Sequence, residues 1–403
     1  MRPARTFWLV LLGTVSSLAG GQSFDAFMDR LSENLRLAGK EGQMRLHLSG
    51  TVDLEGYRYE GPAPGLIRND DEPLLQPRLS VFLDAQAGPR WYGFAQVRVD
   101  QGFDPSNADL EIRLDEYALR FTPWEDGRLS LQAGQFATVV GQWVHRHLSW
   151  HNGFITAPLL YENPTRLSDL RPPYSEYSLT YPYDGYGYYY NPVIWGPGYA
   201  SGISASGHWK QLEWALELKN ASLSSRPEYW PVTRTGFQHP TVSGRLAWRP
   251  DLRWTFGLSA SEGSWAGPGE RFEDPGQYRQ QVFLADFSYA HRHLQLWGEY
   301  AVARFSVAGF GEDLETRVWF IEARYRIMPR LSASLRWNEQ RYSELYYYGN
   351  EIGEWGSRLK RLDAAINWRF NAHTQLVLEV DHYWAEEEGE DRFVFSGRLT
   401  LRF

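Results

Sequence analysis

The densest group of potentially reactive side chains lies between residues 145 and 151. His145, His147 and His151 are spaced by two and four residues, and Ser149 stands between the last two. Imidazole is a common metal ligand, and a serine beside a histidine is a possible start for hydrolysis. However, Arg146 separates two histidines, no neighbouring acid or cysteine completes a ligand set, and a triad is defined by geometry rather than adjacency. We therefore expect no metal, no cofactor and no catalytic residue here, and interpret the segment as a hydrogen-bonded loop.

The elements around this segment are patterned as β-strands. From Arg45 onward apolar and polar side chains alternate, as Leu46 and Leu48 do with His47 and Ser49. Successive side chains of a strand point to opposite faces, so each segment has one apolar and one polar face. About sixteen segments follow this pattern, starting around residues 45, 78 and 91 and continuing near 109–122, 128–138, 198–208, 211–222, 241–249, 252–262, 278–291, 293–305, 315–328, 330–343, 358–370, 372–385 and 391–403.

The connections between these segments alternate in length. The short set comprises Gly88-Pro89, 124–127, Lys210, Pro250-Asp251, Arg292, Pro329 and Asn371, and the long set comprises 60–76, 101–108, 139–197, 223–240, 263–277, 306–314, 344–357 and 386–390. Short turns on one side and long loops on the other are typical of an antiparallel barrel that spans a membrane. A soluble sandwich or propeller is the alternative, but neither architecture predicts this alternation.

The final segment ends on the last residue of the chain. One face carries Phe395, Leu399, Leu401 and Phe403, and the other carries Ser396, Arg398, Thr400 and Arg402. Together with the preceding pattern, this strand resembles the closing strand of Gram-negative outer-membrane β-barrels of the porin superfamily, which typically end in a terminal Phe.

That resemblance lies in the pattern of nearly the whole chain. It leads to several expectations. It implies an all-β transmembrane antiparallel barrel of about sixteen strands in the outer membrane, with short periplasmic turns and long extracellular loops. It also implies recognition of Phe403 by the barrel-assembly machinery, contact with lipid and lipopolysaccharide, and a homotrimer.

Composition limits the other classes of protein. The 403 residues include no cysteine, which excludes disulfides and thiolate chemistry, and the net charge of −8 without a basic stripe excludes nucleic-acid binding. The mean hydropathy of −0.49 is compatible with a membrane barrel, because only alternate residues face lipid. The 16% aromatic content suits interfacial girdles, and Trp91, Trp209, Trp254, Phe121, Tyr325, Trp368 and Phe403 lie close to the short turns.

The start of the chain differs from the barrel pattern. Residues 1–19 have the layout of a signal peptide, with two arginines, an apolar run and small residues for cleavage. Residues 20–43 predict a periplasmic linker with a short amphipathic helix that stops near Gly39. The barrel itself is assigned to residues 44–403.

Strand number and parity then predict the function. About sixteen strands leave an aqueous channel, so the resemblance implies a porin for passive diffusion of small hydrophilic solutes. Parity directs Arg98, Glu116, Arg120, Gln132, Arg245, Arg324 and Arg336 into the lumen, where the two signs of charge roughly cancel and weak ion selectivity follows. The alternatives are a channel specific for sugars or anions, and a barrel that serves as a scaffold for a surface or periplasmic partner.

The loop 139–197 follows the fifth strand, where the loop of general porins folds inward and narrows the channel. By that positional likeness we expect residues 142–152 to form the constriction, with Arg146, His147 and His151 facing solute and the histidines titrating near pH 6.5. The second half of the loop is aromatic, and its candidates for stacking on sugar rings are Tyr188, Tyr189, Tyr190 and Trp195. Packing of these aromatic residues above the barrel mouth is the alternative.

Overall fold

In the computed structural model, the alternating segments form one antiparallel sheet that closes on itself. The structure describes residues 22–39, 43–61, 63–67, 73–103, 109–180, 190–267, 272, 274–385 and 391–403. Within these residues sixteen strands each pair with the next, and the last pairs with the first. They are β1 (Met44–Tyr59), β2 (Leu74–Ala87), β3 (Trp91–Asp100), β4 (Glu111–Phe121), β5 (Ser130–Phe136), β6 (Ala200–Trp209), β7 (Leu212–Lys219), β8 (Thr241–Trp248), β9 (Trp254–Ser264), β10 (Arg279–His291), β11 (Leu294–Phe305), β12 (Leu314–Met328), β13 (Leu331–Tyr342), β14 (Leu359–Arg369), β15 (Thr374–Ala385) and β16 (Asp391–Arg402). The predicted closed barrel is confirmed, whereas the predicted signal peptide lies outside the described residues.

The connections keep the predicted alternation of length. The β6–β7 and β10–β11 turns contain two residues each, and their first residues, Lys210 and Arg292, have φ of 54° and 52°. Hairpins of this length favour positive φ, because the turn must match the right-handed twist of the strands. On the opposite side, the β13–β14 loop contains a small hairpin of two strands, Glu344–Tyr347 and Asn350–Glu354, in a segment where the sequence predicts only a loop.

The outer face of the barrel is an apolar belt. Every strand places at least one large exposed apolar side chain on it, as Ile112, Leu216, Phe283 and Ile366 do. Trp91, Trp209, Tyr325 and Trp368 are exposed near the short turns, where a girdle of aromatic residues is expected. Such an exterior is suited to lipid, so the barrel spans a membrane. No helix among the described residues is long and apolar enough to cross a bilayer.

The seam between β1 and β16 is closed by the end of the chain. Gly50 and Phe403 exchange two backbone hydrogen bonds of 3.0 and 3.1 Å. The Phe403 ring lies so close to Gly50 that a Cβ there would collide with it, and that Cβ would also lie 2.8 Å from the Ser80 carbonyl oxygen. The terminal aromatic residue therefore fills a space at the seam that only glycine leaves open.

The N-terminal segment supports the same seam. Helix α1 (Gln22–Asn34) ends five residues before Gly39, so the predicted stop is wrong. The next residues form a short strand, Arg36–Ala38, which pairs with β1 from Arg45 to His47. β16 reaches only as far as Thr51 along β1, so without this strand the edge of β1 would keep unpaired backbone groups. The Asp29 carboxylate of α1 also lies 2.9 Å from His373 Nε2 in the β14–β15 turn.

Candidate functional site

The connection between β5 and β6, residues 137–199, folds into the barrel; we call it the long loop. It contains helices α2 (Leu159–Glu162) and α3 (Tyr177–Thr180) and a 3-10 turn, Trp143–Arg146. Its apolar side chains form one buried cluster with inward-facing residues of the wall, including Val140, Trp143, Leu160, Val282, Ala301, Phe320 and Tyr383. The loop is thus a packed part of the barrel interior and rests against the β10–β15 side.

Wall carboxylates hold the loop backbone through its N–H groups. Four inward-facing glutamates, one each on β4, β7, β11 and β15, accept these bonds: Glu116 from Ala137, Glu217 from Val139, Glu299 from Gln142 and Trp143, and Glu379 from Ile155 and Thr156. A carboxylate accepts several hydrogen bonds and donates none when ionised, so it suits a run of backbone N–H groups. The acceptors follow one another around the barrel in the order of the loop residues.

Wall arginines hold the loop through its carbonyl groups. The bonds run from Arg398 to Ser149, from Arg369 to Trp150, from Arg324 to His151, from Arg336 to Thr156, and from Arg361 to Ala157. Two of these arginines, Arg324 and Arg336, were expected to line the channel. Arg336 is completely buried, bonds Asp363 at 2.6 Å and covers the Phe154 ring at 4.3 Å, so the expectation that it faces solute is wrong.

Arg146 and His147 also form polar contacts within the protein. The Arg146 guanidinium donates to Glu322 at 3.0 Å and lies over the Trp297 ring at 4.1 Å. His147 Nδ1 contacts the Val144 carbonyl oxygen, and Nε2 lies 2.9 Å from the Tyr199 hydroxyl. If Nδ1 carries the proton, it donates to the carbonyl and Nε2 accepts from the tyrosine. Burial lowers the pKa of His147 to about 4, so the expected titration near pH 6.5 is wrong for this residue.

The other two histidines keep exposed surface. His151 lies beside Trp150 and Arg402 at the edge of a cavity; its pKa is lowered by burial and by the charges of Arg402, Arg369 and Arg324. His145 lies near Arg245, and burial followed by that charge lowers its pKa as well. Among the described residues no group of three or more His, Cys, Asp or Glu is arranged to hold a metal ion.

A polar space remains between the long loop and the wall formed by β1–β8. One cavity of about 200 Å³ lies toward the extracellular side, and cavities of about 280 and 530 Å³ lie toward the short turns. The first and second share Thr51 and Leu148, and the second and third share Phe94 and Glu116. Because adjoining cavities share lining residues, the three cavities follow one another along the inside of the barrel, and we call this row of cavities the polar path.

Three arginines on successive strands border the extracellular part of this path. Each is paired with acids: Arg78 of β2 with Asp53 at 3.2 Å, Arg98 of β3 with Asp115 at 3.1 Å, and Arg113 of β4 with Asp100 at 2.8 Å. Of these six residues, Arg98 is the one that the sequence predicted as a site residue. The parity that selected Arg98 also applies to Arg78, whereas Arg113 points inward because a β-bulge beside Asp115 reverses the alternation of β4. Alternation alone does not predict that bulge, nor which side of the lumen the loop leaves open.

Most of the other wall residues that were predicted to line the channel border the cavity of about 530 Å³. Arg120 donates to Gln132 at 2.8 and 3.0 Å, and Glu116 lies beside them, so the structure brings these three predicted residues together. Arg245 lines the same cavity and is paired with Asp286 at 2.6 Å.

The aromatic candidates for solute stacking are placed elsewhere. Trp195 is 3% exposed and packs against Phe103 and Arg226, so the expectation that it stacks on a solute is wrong. Tyr190 is half-buried, and Tyr188 and Tyr189 lie outside the described residues.

Comparison with solved structures agrees with this geometry. The anion-selective porin from Comamonas acidovorans matches with a TM-score of 0.57 at 9% identity, over 89% of this chain and 100% of that one. The DcaP channel of Acinetobacter baumannii matches with a TM-score of 0.56 at 8% identity, over 91% and 99%. Salmonella typhi OmpF, solved with daunomycin, matches with a TM-score of 0.55 at 11% identity, over 91% and 100%.

The chain has the fold of an outer-membrane porin. No family model matches its sequence, and no curated protein sequence matches it either. With identities of 8 to 11%, the likeness to the porins lies in the architecture, and the interior side chains must be interpreted from this chain itself. The porin fold nevertheless agrees with a lipid-facing belt and a polar interior, as an outer-membrane channel requires.

Proposed function

We propose that the protein is an outer-membrane channel for passive diffusion of small hydrophilic solutes, narrowed by the long loop. The observation that carries this proposal is the polar path between the loop and the β1–β8 side of the wall. Its narrow part runs past Trp143, Leu148 and Ser149 on the loop side and Arg78 and Arg98 on the wall side. A path lined in this way suits hydrated polar solutes.

The anchoring of the loop supports a fixed constriction rather than a moving lid. Backbone groups from residue 137 to residue 157 are bonded to wall glutamates and arginines, and the apolar side chains are buried against the same wall. Releasing this segment would leave several buried charged groups without partners, which is costly.

The histidine segment has no catalytic role in such a channel. Ser149 is buried, and its carbonyl oxygen accepts a hydrogen bond from Arg398 at 2.8 Å. His147 is engaged by Val144 and Tyr199 through both ring nitrogens, so it is not directed at Ser149 as a base would be.

Conductance of the purified protein in a planar lipid bilayer tests the proposal. Leu148 borders both narrow cavities, so we expect Leu148→Ala to raise single-channel conductance and Leu148→Trp to lower it. The matched control is Tyr174→Ala in the exposed part of the same loop, where we expect no change. Wild-type protein that folds but does not conduct would overturn the channel proposal. Equal conductance in the wild type, Leu148→Ala and Leu148→Trp would show that the loop does not form the constriction. Saturable block by a sugar would instead favour a specific channel.

A further inference from the structure

An apolar groove crosses the outer wall from β12 to β16, within the lipid-facing belt. Alanines stand between larger side chains in two adjacent rows of outward-facing residues: Ala323, Leu335, Ala364, Val380 and Phe395 in one, and Tyr325, Ala333, Ile366 and Leu378 in the other. The resulting groove has a volume of about 720 Å³, which is in the range of roughly 300–1,000 Å³ for small-molecule sites.

The groove lies near the short-turn end of the barrel. The rim of the barrel at this end is cationic. Arg330 directly precedes β13 and is exposed, and its Nη1 donates to the Phe370 carbonyl oxygen at 2.9 Å. Arg292 and Arg326 lie on the neighbouring turn and strand end, and residues 290–295 and 325–331 contain no acidic side chain. Arg330 uses one of its five donors in that bond, so the others remain for an anion.

We propose that this groove is a binding site for an anionic glycerophospholipid. One acyl chain occupies the groove between Leu335, Ile366 and Leu378, and the headgroup phosphate contacts Arg330 at the rim. Ala333 is three residues from Arg330, about 10 Å along a strand, so a chain in the groove lies directly above the cation. A second copy related by a two-fold axis is a poorer occupant, because that contact would bring the same cationic rim of both copies together.

Native mass spectrometry of the delipidated protein in a neutral detergent tests the site. We expect phosphatidylglycerol to bind more tightly than phosphatidylcholine with identical chains, by about fivefold for one arginine near the headgroup. Ala364→Phe fills the groove and should abolish tight binding of both lipids. Arg330→Gln, at an exposed turn, should fold normally and remove only the preference for phosphatidylglycerol.

Matched controls separate the groove from general lipid contact. Ala260→Phe places the same bulk on the outward face of β9, and Arg90→Gln removes an exposed arginine from the β2–β3 turn. Both should bind lipid as the wild type does. The proposal is overturned if Ala364→Phe and Ala260→Phe bind equally, or if Arg330→Gln keeps the full preference. It is also overturned if Ala364→Phe changes subunit number without changing lipid binding, because the groove would then be a contact between copies.

Discussion

Inward-facing charges in this barrel have two kinds of surroundings, the long loop and the polar path. Glu299 and Glu379 point inward and accept backbone N–H groups of the long loop, whereas Arg78 and Arg98 point inward and border the polar path. Under the proposed function, charges such as Glu379 affect mainly the position of the loop and charges such as Arg78 mainly the passage of solute, whereas Glu116 and Arg398 contact the loop and also line a cavity. Substitutions at Glu379 and at Arg78 should be separable by experiment.

His147 is the residue for which pH gives the clearest test. Because burial lowers its pKa to about 4, the side chain stays neutral as the pH falls from 7 to 5. We expect wild type and His147→Gln to have the same ion selectivity in that range, and the wild type to become relatively more anion-selective near pH 4. Reversal potentials in a salt gradient at pH 7, 5.5 and 4 measure this, with His239→Gln in an extracellular loop as the control. A divergence of the first two proteins near pH 6.5 would contradict the lowered pKa of the imidazole.

The lowered pKa of His147 also makes the stability of the protein depend on pH. A histidine in the unfolded chain takes up its proton near pH 6.5, whereas folded His147 does so near pH 4. Between these values the unfolded state binds more protons, so this residue's contribution to stability falls as the pH falls through that window. We expect the unfolding midpoint of the wild type to drop more than that of His147→Gln between pH 7 and pH 4.5. Equal drops would mean that the folded residue titrates normally.

Gly50 is expected to be intolerant of any side chain. A Cβ at this position would collide with the Phe403 ring and lie 2.8 Å from the Ser80 carbonyl oxygen. We expect Gly50→Ala to lower the free energy of unfolding by about 1–3 kcal/mol, the usual cost of overpacking. The matched control is Gly93→Ala on β3, where the nearest atoms would be 3.7 and 3.8 Å away. Denaturant unfolding of the refolded barrels compares the two variants. Equal unfolding midpoints would show that the Phe403 ring does not fill the space beside Gly50.

At the scale of elements, the strands were predictable and the course of the long loop was not. Strand positions follow from local alternation, as for Leu46 and His47, because one face meets lipid and the other the interior. The anchors of the loop join residues far apart in the chain, such as Thr156 and Glu379, and no local pattern marks such a pair. Hence Arg98, Glu116, Arg120 and Gln132, which parity directs inward, line the described cavities, and their role in a constriction stays a prediction. Arg336, selected by the same parity, is buried against the loop.

The anchoring of the long loop predicts a measurable effect of Glu379. Its carboxylate accepts bonds from the Ile155 and Thr156 backbone and from the Thr156 hydroxyl. Glu379→Gln leaves one oxygen for the two N–H groups but removes the negative charge that strengthens these bonds, and we expect a loss of about 1.5–3 kcal/mol of stability together with noisier single-channel current. Glu262→Gln is the control, because that exposed carboxylate pairs with exposed Arg279, and such surface pairs contribute about 0–1 kcal/mol. Quiet current and full stability in Glu379→Gln would show that this anchor is dispensable.

At the scale of the whole molecule, the lining of the polar path is nearly neutral even though the chain carries a net charge of −8. Around the extracellular cavity, Arg78, Arg98, Arg113 and Arg398 are matched by Asp53, Glu55, Asp100 and Glu162. Charged rings set ion selectivity in pores, so a balanced lining gives a weak preference. The acidic excess must therefore lie mainly away from the path, where salt screens it more strongly.

Removing one arginine should break this balance. Arg78 pairs with both Asp53 and Glu55, so Arg78→Gln leaves two carboxylates without their shared cation beside the path. One unit charge about 4 Å away stabilises a passing cation and destabilises a passing anion by about 1 kcal/mol each in water, so we expect the cation-to-anion permeability ratio to rise about thirtyfold. Arg317→Gln, on the exposed outer side of β12, is the matched control and should leave the ratio unchanged. Reversal potentials at neutral pH and low salt provide the measurement. If Arg78→Gln and Arg317→Gln give the same ratio as the wild type, solutes do not pass along the β1–β4 wall, and the path must run elsewhere in the barrel.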